Sequence, residues 1–144
     1  MEMNASMTYL SMSYFFESRG MTGFQKKYKE ASEEERGHSL EFLDYVSKRG
    51  GTPRVQATQA PIVDFKDPVH AVSATLDYER KVSDSINEKY GIAMEARDWP
   101  TVSFLQKFVA YQIEEEDESE TAAQEMYRLV KKGDYSQLLD IQER

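Results

Sequence analysis

Cysteine is absent from this sequence, and its absence excludes disulfides, thiolate-held zinc and cysteine-ligated iron–sulfur clusters. Histidine is nearly as scarce. With only His38 and His70 available, any metal must be held by oxygen ligands and at most two imidazoles. No apolar run approaches the ~18 residues that a membrane span needs. The opening Met1-Glu2-Met3-Asn4 lacks the basic start and apolar stretch of a signal peptide. Positive charge is outnumbered, 18 Lys and Arg against 26 Asp and Glu, for a net charge of −8. That balance argues against a nucleic-acid partner and favours the gathering of cations. The expectation is a soluble, cytoplasmic protein with no membrane or nucleic-acid partner. Its 144 residues suit a single domain over 1–144, long enough to bury a core.

What is present is helical punctuation. Gly20 and the Gly50-Gly51 pair read as helix stops, and Gly133 closes another helix after Lys131-Lys132. Asp67-Pro68 reads as an N-cap followed by a first-turn proline, and Pro100 sits where a missing N–H is tolerated. The spacing predicts helices over about 1–19, 22–49, 67–95 and 99–132, with a short fifth over 135–143. Steps of three and four then pick out one seam per helix. The first seam runs Glu2, Ala5, Tyr9, Met12, Phe16. The second runs Phe24, Tyr28, Ala31, Glu35, His38, Phe42, Tyr45; the third has Glu79 and Ser83 among Val72, Leu76, Ile86, Tyr90 and Ala93. The fourth has Gln112, Glu115 and Ser119 among Leu105, Phe108, Ala122, Met126 and Leu129. Each seam is mostly small or apolar and carries ligand-type residues at one level.

Connections fix the topology. Gly20-Met21 is short, so the first two helices form an antiparallel hairpin, and the last two form another through the region around Asp98. Residues 50–66 show little helical pattern. Extended, they reach roughly 56 Å, more than the ~42 Å of a 28-residue helix. Two hairpins joined by one long crossover give a ferritin-like antiparallel four-helix bundle, all-α in class. In a hairpin, equal counts from the turn mean equal height. Glu2 lies 18 residues before Gly20, with Glu35 and His38 15 and 18 after it. Glu79 lies 19 residues before Asp98, with Gln112 and Glu115 14 and 17 after it. All six therefore converge on one layer.

The chemistry of that layer points to metal. Glu35-x-x-His38 puts a carboxylate and an imidazole on one helix face. A buried cluster of Glu2, Glu35, Glu79 and Glu115 is costly unless cations compensate it, and a pair of divalent metals does so directly. Glu35 is the natural bridge; Glu2 and His38 complete one site, Glu79 and Glu115 the other. Oxygen donors with one or two nitrogens suit Fe(II), Mn(II) or Zn(II). Taken singly, each piece has a plainer reading. Glu-x-x-His occurs on many helices, Glu79 alone reads as a solvated residue, and Tyr9 as a core aromatic. His70 reads as a surface residue and the run Glu114–Glu118 as a solvated acidic face. It is the shared height within apolar seams that favours metal. Glu34 and Glu114 flank the ligand positions and suit a weaker third iron site with Glu115, and Tyr9 lies two turns along the seam from Glu2.

With those residues in view, the sequence resembles the ferritin family. Ala5-Ser6-x-x-Tyr9-Leu10-Ser11-Met12-Ser13-Tyr14-Phe15-Phe16 resembles the ferritin first helix, preceded by a ligand Glu as Glu2 precedes it here. Glu34-Glu35-Arg36-Gly37-His38 resembles the second-helix ferroxidase motif, and Leu76-Asp77-Tyr78-Glu79 the third-helix ligand position. Tyr111-Gln112-Ile113-Glu114-Glu115 resembles the fourth helix of bacterial-type ferritins. The resemblance implies ferroxidase activity. Two Fe(II) bind as a di-iron site, O₂ oxidises them, and Fe(III) passes to a mineral core inside a hollow homo-oligomer, a 24-subunit cage in that family. Tyr9, Glu35 and Gln112 are then the catalytic group, with Gln112 also counted among the metal-site residues.

The sequence also departs from relatives of that family. The fourth helix carries Gln112-x-x-Glu115 in place of a second Glu-x-x-His, which disfavours bacterioferritin-like and ribonucleotide-reductase-like proteins. No methionine stands at Ala31-Ser32, so haem is not expected. Val102 and Leu105 occupy the region where animal ferritins place pore-lining acids. The second helix runs about eleven residues past His38, whereas the first stops one residue past Glu2. About ten residues of first helix are therefore expected to be missing, or covered by another chain, with Glu2 on a fraying end. Two alternatives to storage with ferroxidase activity stay open at this stage: a redox-silent structural cage subunit, and a small di-metal oxidase without storage.

Overall fold

The computed structural model describes residues 1–131. Among them are four α-helices and no strand: α1 (Glu2–Glu17), α2 (Thr22–Lys48), α3 (Pro68–Glu95) and α4 (Trp99–Lys131). These match the expected helices to within two residues at each end. The fifth helix expected over 135–143, and Gly133 as a stop, lie outside the described residues.

The chain forms two compact units that meet in sequence between Lys66 and Asp67. In the first, α1 and α2 are an antiparallel hairpin. Its turn is closed by Gly20, whose φ of +69° only glycine adopts without strain. That conformation lets Gly20 N–H donate to the Glu17 carbonyl and Met21 N–H to the Phe16 carbonyl, satisfying two of the carbonyls α1 leaves without helical partners. The core beside the turn is aromatic. Phe16 is fully buried and stacks on Phe24 and Tyr28, at centroid distances of 5.2 and 5.4 Å, and Tyr28 reaches Tyr9 at 6.0 Å. Burying each such ring contributes roughly 1.5–3 kcal/mol.

The crossover returns along α1, as its reach allows. Gln59 N–H donates to the Asn4 side chain near one end of α1, Ser11 Oγ donates to the Ile62 carbonyl, and Phe65 packs edge-on to Phe15 near the other end. In the second unit, α3 and α4 form the other antiparallel hairpin. Asp67 caps α3 by accepting the His70 N–H at 2.8 Å, ahead of Pro68. Asp98 caps α4, accepting from the Thr101 N–H and from its hydroxyl. The turn before it uses Arg97 at φ +53°, a non-glycine residue in the left-handed region.

Candidate metal centre

On the first hairpin the count from Gly20 is borne out. Glu2 on α1 with Glu35 and His38 on α2 bring ligand atoms within 4.8 Å of one another. Glu2 and Glu35 are buried and His38 half-buried. The His38 Nδ1 edge is turned to the carboxylate, 3.3 Å from Glu35 Oε2. The Glu2 carboxyl is hydrogen-bonded to Glu35, and its pKa is pushed up to about 8. Burial is the main cause, the hydrogen bond and the charge of Glu35 add to it, and His38 opposes it. Its position near the chain start predicts a fraying end for Glu2. It is instead seated in the first turn of α1, where Ala5 N–H donates to the Met1 carbonyl. Two buried carboxyls that share a proton beside an imidazole form a donor set suited to a divalent cation, because the cation supplies the charge that the proton now supplies.

On the second hairpin the count from Asp98 holds as well. The Gln112 amide nitrogen donates to Glu79 Oε2 at 3.0 Å, and also faces the Glu79 carbonyl and Ser83 Oγ, each at 3.2 Å. The Glu79 backbone carbonyl can only accept, which fixes which end of the amide faces it. The carboxylates of Glu79 and Glu115 approach within 4.8 Å; Glu79 is 1% exposed and Glu115 half-buried.

The remaining expected residues fall elsewhere. Tyr9 is buried on the Glu2 seam and in ring contact with Tyr28. Glu34 and Glu114 are exposed and belong to neither ligand group found among the described residues. His70 is exposed, as expected. Ser83 stands on the α3 seam, and its contact with Gln112 gives it a role that apolar spacing does not reveal. A hydroxyl residue four positions after a ligand carboxylate is the signal that marks it. Ser6 and Ser32 stand off the α1 and α2 seams, yet both are buried and bonded to each other.

Comparison with known proteins extends over nearly the whole chain. Residues 1–129 match the model of a ferritin-like domain. A bacterial non-heme ferritin of Bacteroides fragilis is 37% identical over 115 residues, covering 80% of this chain and 72% of that protein. One from Staphylococcus aureus is 29% identical over 140 residues, 97% of this chain and 82% of its own length. Among solved structures, an open-pore ferritin from the hyperthermophilic archaeon Archaeoglobus fulgidus gives a TM-score of 0.94 at 30% identity. That match covers 99% of this chain and 86% of the archaeal one.

Proposed function

Because this chain belongs to the ferritin family of iron-storage four-helix bundles, we propose that it is a ferroxidase that oxidises Fe(II) with O₂ and stores the product. Its two hairpins make up one domain. Two Fe(II) ions are the substrate: Glu2, Glu35 and His38 hold one, Glu79 and Glu115 the other, and Glu35 bridges them. Each ion gives up one electron, the two electrons and two protons convert O₂ to hydrogen peroxide, and the resulting Fe(III) passes to a mineral core within a homo-oligomeric cage.

The observation that carries this reading is the buried grouping of Glu2, Glu35 and His38. A carboxyl with its pKa lifted to about 8 keeps a proton at neutral pH that an arriving cation must displace, and once it is displaced the low-dielectric surroundings strengthen the attraction between the carboxylates and the cation. Gln112 holds the Glu79 carboxylate in one orientation through its amide hydrogen, and Tyr9 lies two turns along the seam from Glu2. The exposed Glu34 and Glu114, with Glu115, take a third iron more weakly. The proposed place of action is the cytoplasm.

The test is O₂ consumption on adding Fe(II) to the metal-free protein. Rapid uptake is expected, falling toward the uncatalysed rate in Glu35→Ala and His38→Ala; wild-type rates in both variants rule the assignment out. Light scattering combined with iron counting after aerobic loading separates storage from a small oxidase. A large particle retaining many irons per chain is expected, whereas a dimer with two metals per chain excludes storage.

A further inference from the structure

We propose that Ser6 and Ser32 form a clasp between α1 and α2 that positions Glu2 and Glu35 for metal, an inference that rests on the metal-site reading above. The two serines are reciprocally bonded. Ser6 Oγ donates to the Ser32 carbonyl at 2.7 Å, Ser32 Oγ donates to the Ser6 carbonyl at 2.7 Å, and the hydroxyl oxygens are 3.2 Å apart. Both are buried, at 5% and 4% exposure. Each carbonyl already belongs to its own helical ladder, so the hydroxyls occupy second lone pairs on the facing helix. Backbones meet this closely only where side chains are small, and Ala5 beside the clasp is fully buried.

Its place relative to the ligands gives the clasp its role. Ser6 follows Glu2 by four residues and Ser32 precedes Glu35 by three, so each serine shares a helix face with its carboxylate, one turn nearer the Gly20 turn. A slip of one residue along either helix is about 1.5 Å, enough to break two hydrogen bonds of 2.7 Å. The clasp therefore holds the register of α1 on α2 at the height where the two carboxyls face each other. Neither hydroxyl is itself a ligand; both are positioning residues that act through Glu2 and Glu35.

The test is a Co(II) titration of the full chain, followed by the visible absorption of the bound ion. Ser6→Ala and Ser32→Ala are expected to bind Co(II) at least about tenfold more weakly, a typical effect of removing a group that orients a metal ligand, and with a changed absorption band. Ser13→Ala is the control. It removes a buried α1 hydroxyl that, among the described residues, bonds its own helix at the Leu10 carbonyl, and it is expected to leave the titration within twofold of wild type. Should one alanine variant fail to fold by circular dichroism, the other, which removes one of the two reciprocal bonds, is read by the same titration. Folded clasp variants with wild-type affinity and band overturn the inference while leaving the metal site standing. If wild-type protein takes Co(II) no better than Glu35→Ala does, the metal-site reading falls and the clasp's role falls with it.

Discussion

The carboxyl of Glu2 on α1 is hydrogen-bonded to that of Glu35 on α2, and the pair is buried. Burial is the first cause of the rise in the Glu2 pKa from 4.5 to about 8, and the consequence for stability has a definite sign. Between those values the folded protein keeps a proton that the unfolded chain releases, so the metal-free protein loses stability as pH rises through this window and levels off above it. The contribution of this one group is on the order of a few kcal/mol. Urea unfolding of chelator-treated protein at pH 5.5, 7 and 8.5 measures it. Glu2→Gln is expected to flatten the profile, and a divalent cation to remove the loss by replacing the proton. An unchanged slope in Glu2→Gln means that Glu2 does not carry this proton.

Gln112 stands to Glu79 as a fixed donor, with Ser83 helping to hold the amide. Gln112→Leu keeps the bulk and removes the donor, leaving a carboxylate at 1% exposure without that partner. A cost of about 1–3 kcal/mol is expected in the metal-free protein, together with a fall of about tenfold or more in the rate of iron oxidation. Stopped-flow oxidation and denaturant unfolding read the two effects separately. Full rates in Gln112→Leu remove the residue from the catalytic group.

Glu34 and Glu114 provide a different kind of test, since both are exposed and fall outside the ligand groups. The double variant Glu34→Gln, Glu114→Gln is expected to lose the weaker third iron in an anaerobic Fe(II) titration. The two tighter irons should remain, and stability should stay within about 0.5 kcal/mol of wild type, as for other surface changes. Retention of all three irons would sink the third-site proposal.

The parts of this structure legible in the sequence were those set by periodicity and counting. Glu35 and His38 lie on one face because three residues make most of a helical turn. Glu2 meets them because Gly20, the only residue type at ease with the φ found there, announces the turn from which heights are counted. Asp67-Pro68 likewise announces the start of α3. What stayed hidden depends on contact. Ser6 and Ser32 sit one position off the seams, and nothing in a pattern of apolar spacing distinguishes a hydroxyl that crosses to another helix from one that bonds its own. Glu2 is a related case: its place in the cluster implies burial while its first-turn position suggests fraying, and only the contact with Glu35 on α2 shows how it is seated.

The turn between α3 and α4 also carried no glycine signal, and that omission has a measurable consequence. Arg97 occupies the place that Gly20 and Gly50 hold at the ends of α1 and α2, with φ of +53° against their +69° and +80°. Its N–H donates to the Met94 carbonyl and that of Asp98 to the Ala93 carbonyl, the same pair of bonds that closes the other two helices. A side chain in this conformation costs roughly 1–2 kcal/mol, while glycine costs about 0.5–1 kcal/mol in chain entropy. Arg97→Gly is therefore expected to stabilise the protein by about 0.5–1 kcal/mol. Gly20→Ala, the reverse exchange at the other hairpin, is expected to destabilise it by about 1 kcal/mol. Urea unfolding of both variants in the metal-free state decides the matter, with iron oxidation expected to be unaffected by Arg97→Gly, since that residue lies at the turn, far in sequence from Glu79 and Gln112. A loss of stability in Arg97→Gly would mean that the arginine side chain contributes more to the turn than its backbone conformation costs.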